Sequence, residues 1–370
     1  MKRIIYIFLL SLQLCTFFTG CNKMSLSKDV TYSVPEENPT RKFVGRATTG
    51  VAVITVPAVT TESNVTSEPT VTKSTSIFRE LLQIQLRDGK PIYVLQRDNT
   101  FYLTTATPDS INTTPMKELI LEQDCNSKLL VNKDNPLPKD FSPKALKPIS
   151  AGKVKLEYSD LKLIPCTLDA LYSMVAAAKK DSINSFIINS AYRSMSAQQL
   201  IFNSNLNSFK KTSKTYEEAL SRTRQLVALP GNSEHHTGLS LDIFSVNGRH
   251  RSDFEGTKEQ IWLDTNLHRF GFIIRYPSDK TLVTGSVYEP WHIRYVGVSL
   301  STYLAENNLC LEEFYEKTFK GEILENSKSV FIGVGSDQKV FIDPHIVENV
   351  SLEIVNTDNS LLTVVKSSEE

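Results

Sequence analysis

Histidine is scarce in this chain of 370 residues, six in all, and tryptophan is scarcer, with two. Neither sign of charge is in excess: 41 basic side chains stand against 41 acidic ones, which argues against a nucleic-acid binder held by bulk electrostatics. The five cysteines show no Cys-x-x-Cys spacing, so no cysteine metal site is expected. Cys15 and Cys21 fall in the leader, and the remaining Cys125, Cys166 and Cys310 are an odd set that predicts no disulfide framework. No segment repeats at a fixed period, which excludes a solenoid or propeller. Beyond residue 21 no apolar run is long enough to span a bilayer.

What is present begins at the N-terminus. Met1-Lys2-Arg3 is a positive start, and Ile4 to Phe18 has the length of a signal h-region, too short and too polar at Ser11 and Gln13 for a membrane span. Thr19-Gly20-Cys21 resembles the end of a bacterial lipobox, with Phe18 where that pattern prefers Leu. The resemblance implies cleavage before Cys21, lipidation of its thiol and an extracytoplasmic protein anchored to the cell membrane; the alternative is ordinary signal cleavage and release. Residues 22–76 are rich in Thr, Ser, Val, Glu and Pro and poor in aromatic residues, so a flexible tether is expected, with Val51–Val59 as an alternative strand.

Residues 77–126 read as a small β region: Leu82, Ile84 and Leu86 alternate, Asp88-Gly89 signals a turn, and Ile92–Leu95 and Thr100–Thr105 follow as strands. Residues 321–370 hold further strands, at Val330–Val334, Val340–Ile342 and Leu361–Val365, in a β appendage expected to pack with the first region. Between them, residues 127–320 alternate helices and strands. Leu168, Leu171, Met174, Val175 and Ala178 have helical spacing, and Ser196–Leu206 and Tyr216–Ala228 also read as helices. The expected fold class is therefore α+β, a small mixed or antiparallel sheet with helices, plus β appendages.

The chemistry concentrates in residues 230–244, where His235 and His236 are bracketed by Ser233, Gly238 and Asp242. Leu239, Leu241 and Ile243 would share one strand face and Ser240 and Asp242 the other. A carboxylate on an otherwise apolar strand needs a partner, and a metal is one candidate. Residues 288–297 also read as a strand, with Pro290 suggesting an edge position or bulge that lets Glu289 and His292 point into one site. Two imidazoles and a carboxylate, His235, Asp242 and His292, suit Zn²⁺ with a fourth position for water, and Glu289 is placed to act as general base. Arg193, at the end of the buried strand Ser185–Ser194, is where an anion-binding side chain would sit. His236 is expected to face solvent or lie behind the ligands.

The pattern Ser233-x-His235-x-x-Gly238-x-x-x-Asp242, followed by Glu289-Pro290-Trp291-His292, resembles the zinc D-alanyl-D-alanine carboxypeptidases of the VanY type and their L,D-carboxypeptidase relatives. Tyr192-Arg193-Ser194, the run Phe270-Gly271-Phe272-Ile273-Ile274-Arg275-Tyr276-Pro277 and the lead-in Leu129–Pro138 extend it over about half the chain. The resemblance implies that Arg193 binds a substrate carboxylate or the oxyanion, that Gln198 lies near the substrate, and that Ser233 and Trp291 support the site. It further implies hydrolysis of a terminal D-alanine from peptidoglycan stem peptides. L,D-carboxypeptidase, endopeptidase and non-catalytic wall-peptide binder are the alternatives.

Overall fold

A computed structural model describes residues 78–85, 91–120 and 125–366. The leader, Cys21, Val51–Val59 and the tether lie outside the described residues.

The central part of the chain builds a five-stranded sheet in the order Phe272–Ile274, His292–Tyr295, Ser240–Ser245, Phe186–Ser190 and Lys155–Leu156. Neighbours are antiparallel except the last pair, which is parallel. The fold class is α+β. The alternation of Leu241 and Ile243 with polar neighbours has its expected effect: both apolar residues enter a core with Leu171, Met174, Ile188 and Trp262. The helix Pro165–Lys180 supplies Leu168, Leu171, Met174 and Ala178 to that core, as its spacing predicts, and starts on a proline whose missing N–H costs nothing there. The helices Met195–Lys210 and Tyr216–Leu226 are capped by Ser194 and Thr215, whose side chains accept the N–H of Ala197 and Glu218.

One expectation is corrected at Pro290. Residues 288–297 are not one strand; the strand is only His292–Tyr295, and it is central in the sheet rather than at an edge. Pro290 instead occupies a turn closed by His292 N–H donating to the Glu289 carbonyl at 3.1 Å. Its fixed φ suits that corner, and the turn folds Glu289 back beside His292.

A second correction concerns cysteine. Cys125 and Cys166 form a disulfide across 41 positions, tying the lead-in to the start of the helix Pro165–Lys180, while Cys310 is free and buried. The odd count concealed it because Cys310 needed no partner.

The two β regions share one body. The strand Lys339–Ile342 inserts between Thr100–Thr104 and Lys117–Glu118, completing a sheet with Pro91–Arg97 and Arg79–Gln85. A second sheet, Leu324–Glu325, Ser329–Gly335, Asn359–Val365 and Val350–Ile354, packs on it through Ile84, Val94, Leu103, Val330, Ile332 and Leu362. The opposite face of this second sheet also meets protein: Phe331 and Leu361 pack with Leu300, Tyr303, Phe314 and Leu130 of the central part. Gly333 is required by that contact, because a Cβ there would stand 2.5 Å from the Thr318 carbonyl oxygen. Burial on both faces explains the unbroken apolar run Val330-Phe331-Ile332-Gly333-Val334.

Candidate metal centre

Sheet register supplies two of the site's side chains. Asp242 is paired with His292 on one neighbouring strand and with Ser190 on the other. His235 comes from the short 3-10 turn Glu234–Thr237, which ends on Gly238 in the left-handed region, φ 70°. Only a glycine fits there, since a Cβ would meet Ile164 Cγ2 and Leu146 Cδ2 at 3.1 Å. The turn is fastened to the end of the strand Phe186–Ser190: Arg193 N–H donates to the His235 carbonyl at 3.1 Å, and His235 Nδ1–H to the Ala191 carbonyl at 2.6 Å.

That last bond assigns the tautomer. A carbonyl only accepts, so Nδ1 carries the proton and Nε2 presents its lone pair. His235 Nε2 is buried, makes no hydrogen bond, and lies 3.4 Å from Asp242 Oδ1. His292 Nδ1 lies 3.1 Å from the same oxygen. One donor atom from each of His235, Asp242 and His292 falls within 4.8 Å of the others, and all three residues are buried. A tetrahedral ion with arms of about 2.0 to 2.1 Å holds its ligand atoms about 3.3 Å apart, which these separations approach. The donor set and the unpartnered nitrogen fit Zn²⁺.

Electrostatics agree with a site built for a cation. Burial pushes Asp242 up, but His235 and His292 outweigh it and hold the carboxyl well below its ordinary range. Burial, reinforced by Arg193, lowers His235 to about 4, so its imidazole is neutral at physiological pH and free to ligate. Burial also disfavours charge on His292, yet hydrogen bonding to Asp242 and Glu234 raises it to about 9.

Glu289 and Arg193 flank the three candidate ligand residues. Glu289 Oε2 is 4.0 Å from His292 Nδ1, and its backbone N–H donates to the Tyr276 carbonyl at 3.0 Å. Arg193 extends Nη2 to 3.6 Å from Asp242 Oδ2 and donates through Nη1 to Gln198 Oε1 at 2.9 Å. Gln198 is 1% exposed and also donates to the Ala228 carbonyl, so it holds Arg193 from behind. Trp291 is buried and stacks on Phe244 beneath the strand, and Ser233 is the buried residue that opens the His235 turn.

His236 does not face solvent. It is buried, donates Nδ1–H to the Arg193 carbonyl at 2.7 Å and accepts the Gly231 N–H on Nε2 at 3.1 Å, locking the Pro230-Gly231 loop to the arginine. His250 is exposed and His345 pairs with Asp343; neither joins the site.

Sequence reasoning missed Glu234, Arg275 and Arg294. All three are buried, and Glu234 Oε1 accepts from Arg275 Nε at 2.8 Å and Arg294 Nη1 at 2.7 Å. The signal was present in their positions, one residue before His235, two after His292, and inside the Phe-Gly-Phe-Ile-Ile-Arg-Tyr-Pro run.

An open α+β sheet with a His-Asp-His donor set and an adjacent glutamate defines a metallopeptidase-type centre. Comparison with known proteins narrows the class. Residues 160–298 match the family VanY, D-alanyl-D-alanine carboxypeptidase. A D-alanyl-D-alanine carboxypeptidase of Enterococcus faecalis is 38% identical over 188 residues, 51% of this chain and 65% of that protein. The bifunctional D-Ala-D-Ala dipeptidase and D-Ala-D-Ala carboxypeptidase VanXYC of Enterococcus gallinarum is 31% identical over 198 residues, 52% of this chain and 94% of that protein. A solved vancomycin-resistance D,D-pentapeptidase VanY mutant in complex with Zn(II) is 35% identical, covering 51% of this chain and 99% of that chain, with a TM-score of 0.45. The chain belongs to the VanY family of D-alanyl-D-alanine carboxypeptidases.

Proposed function

We propose that the protein is a zinc-dependent carboxypeptidase that removes a terminal D-alanine from peptidoglycan stem peptides outside the cytoplasmic membrane. The observation that carries this reading is the convergence of His235 Nε2 and His292 Nδ1 on Asp242 Oδ1, at 3.4 and 3.1 Å, with Glu289 and Arg193 beside them.

Zinc bound there supplies Lewis acidity toward water and the scissile carbonyl. Glu289 takes the proton of the attacking water and passes it to the leaving amine. Arg193, one-fifth exposed and held in plane by Gln198, offers its guanidinium fork to the free carboxylate of the substrate or to the developing oxyanion. A fork of fixed direction suits a planar carboxylate better than an ammonium does. Trp291 and Ser233 support the site through packing. Export and anchoring through Cys21 belong to the same proposal, and the Cys125–Cys166 disulfide supports oxidising surroundings.

The test is release of D-alanine from a muramyl pentapeptide with and without a zinc chelator. Chelator-sensitive release of one D-alanine, leaving the tetrapeptide intact, is expected. Zinc bound without release would leave only a wall-peptide binder; trimming of the tetrapeptide to tripeptide would make the enzyme an L,D-carboxypeptidase.

A further inference from the structure

A buried carboxylate stands on the side of His292 opposite the ligand cluster. Glu234 has a side chain 0% exposed, and its two oxygens do different things. Oε1 accepts from both Arg275 and Arg294, while Oε2 accepts Ser240 Oγ–H at 3.0 Å and lies 3.5 Å from His292 Nε2. His292 Nε2 is itself buried and makes no hydrogen bond, so Glu234 Oε2 at 3.5 Å is the carboxylate oxygen it faces.

The arginines are anchored independently. Arg275 forks the Glu312 carboxylate at 2.9 and 2.6 Å. Arg294 donates through Nη2 to the carbonyls of Ser127 and Leu129 at 3.1 and 2.6 Å, and through Nε to that of Tyr295 at 2.9 Å. A clamp that only neutralised the guanidiniums would need Oε1 alone. The second oxygen is held toward the imidazole by Ser240, which sits opposite Arg294 in the sheet just as Asp242 sits opposite His292.

We propose that Glu234 is a positioning residue for the metal centre: its Oε2 receives the Nε2 proton of His292, fixes the ring's tautomer so that Nδ1 faces Asp242 and Glu289, and thereby tightens metal binding. The inference rests on the zinc reading above. A carboxylate behind a ligating histidine fixes ring orientation and raises ligand basicity, and its loss typically weakens metal binding by roughly 10- to 100-fold. Two arginines opposite Glu234 and Glu312 keep the cluster neutral, so the carboxylate stays ionised in a dry setting.

Two measurements on the full-length protein test it. Zinc affinity, read by competition with a chelating dye, is expected to weaken by roughly 10- to 100-fold in Glu234→Gln and by less in Ser240→Ala, with near-UV circular dichroism unchanged. Because Glu234→Gln takes the charge away from two buried arginines and can impair folding, histidine ¹⁵N spectra of the zinc-loaded wild type provide the second reading: His292 should show a metal-bound Nδ1 and a protonated Nε2. Zinc bound through His292 Nε2, or a folded Glu234→Gln protein with wild-type affinity, overturns the inference alone. Wild-type protein that takes up no zinc overturns the metal reading and the inference with it.

Discussion

Asp242 and His292 stand opposite each other on adjacent antiparallel strands, with Oδ1 3.1 Å from Nδ1. The sheet therefore positions two of the three proposed ligands by strand register, and the turn Glu289–His292 carries the proposed base to the same place. Glu289→Ala should retain zinc while losing roughly 10²- to 10⁴-fold in turnover. His292→Ala should lose both. Metal content by mass spectrometry beside D-alanine release separates the two outcomes; unchanged turnover in Glu289→Ala would remove it from its role.

Arg193 is held by Gln198 and by the His235 turn, so its contribution depends on direction as well as charge. Arg193→Lys keeps the charge but loses the fork. Its kcat/KM on pentapeptide should fall roughly 10- to 100-fold with zinc content unchanged. Gln198→Ala should fall less, and an effect larger than that of Arg193→Lys would assign the main contact to the glutamine.

Gly238 lies between His235 and Asp242 with φ 70° and no room for a methyl group against Ile164 and Leu146. Gly238→Ala should cost about 1 to 2 kcal/mol for the left-handed backbone, with the clash in addition. The turn carrying His235 should shift with it. Lower thermal stability together with weaker zinc binding is expected; wild-type behaviour in both would show that the turn relaxes freely.

Much of this centre was legible in the sequence because metal chemistry restricts residue types and spacing: His235, Asp242 and His292 are where the motif places them, and the helix Pro165–Lys180 follows its apolar period. What was hidden depends on distant pairing. Neither Cys125 nor Cys166 advertises a partner 41 positions away, and the strand Lys339–Ile342 joins Thr100–Thr104 across more than 200 residues. Local alternation marks both strands but cannot say that they pair. Glu234, Arg275 and Arg294 were hidden for a different reason: charged residues read as surface until the fold shows that they neutralise one another.

The disulfide closes a loop that includes the sequence from the lead-in to the helix Pro165–Lys180. In the chain-entropy picture a loop of this size contributes about 4 kcal/mol. Replacing Cys125 and Cys166 by serine should therefore lower Tm by several degrees, measured by calorimetry; an unchanged Tm would mean that the contacts of Leu137 with Gly231 and of Ser127 and Leu129 with Arg294 hold the lead-in alone.

Cys310 behaves oppositely. Burial pushes its thiol up to about 12, so almost no thiolate exists at pH 8 and alkylation should be slow. Peptide mapping after iodoacetamide should show Cys310 modified only on unfolding, and Cys125 and Cys166 only after reduction as well. Rapid labelling of Cys310 in the native protein would show that the end of the helix Val298–Asn307 opens.

The account rests on convergence of three side chains on one divalent ion. Crystals of the zinc-loaded protein, measured on either side of the zinc absorption edge, should show a single anomalous peak contacted by His235 Nε2, an Asp242 oxygen and His292 Nδ1, with Glu289 beside it. A peak elsewhere, or one that excludes any of the three, would contradict it.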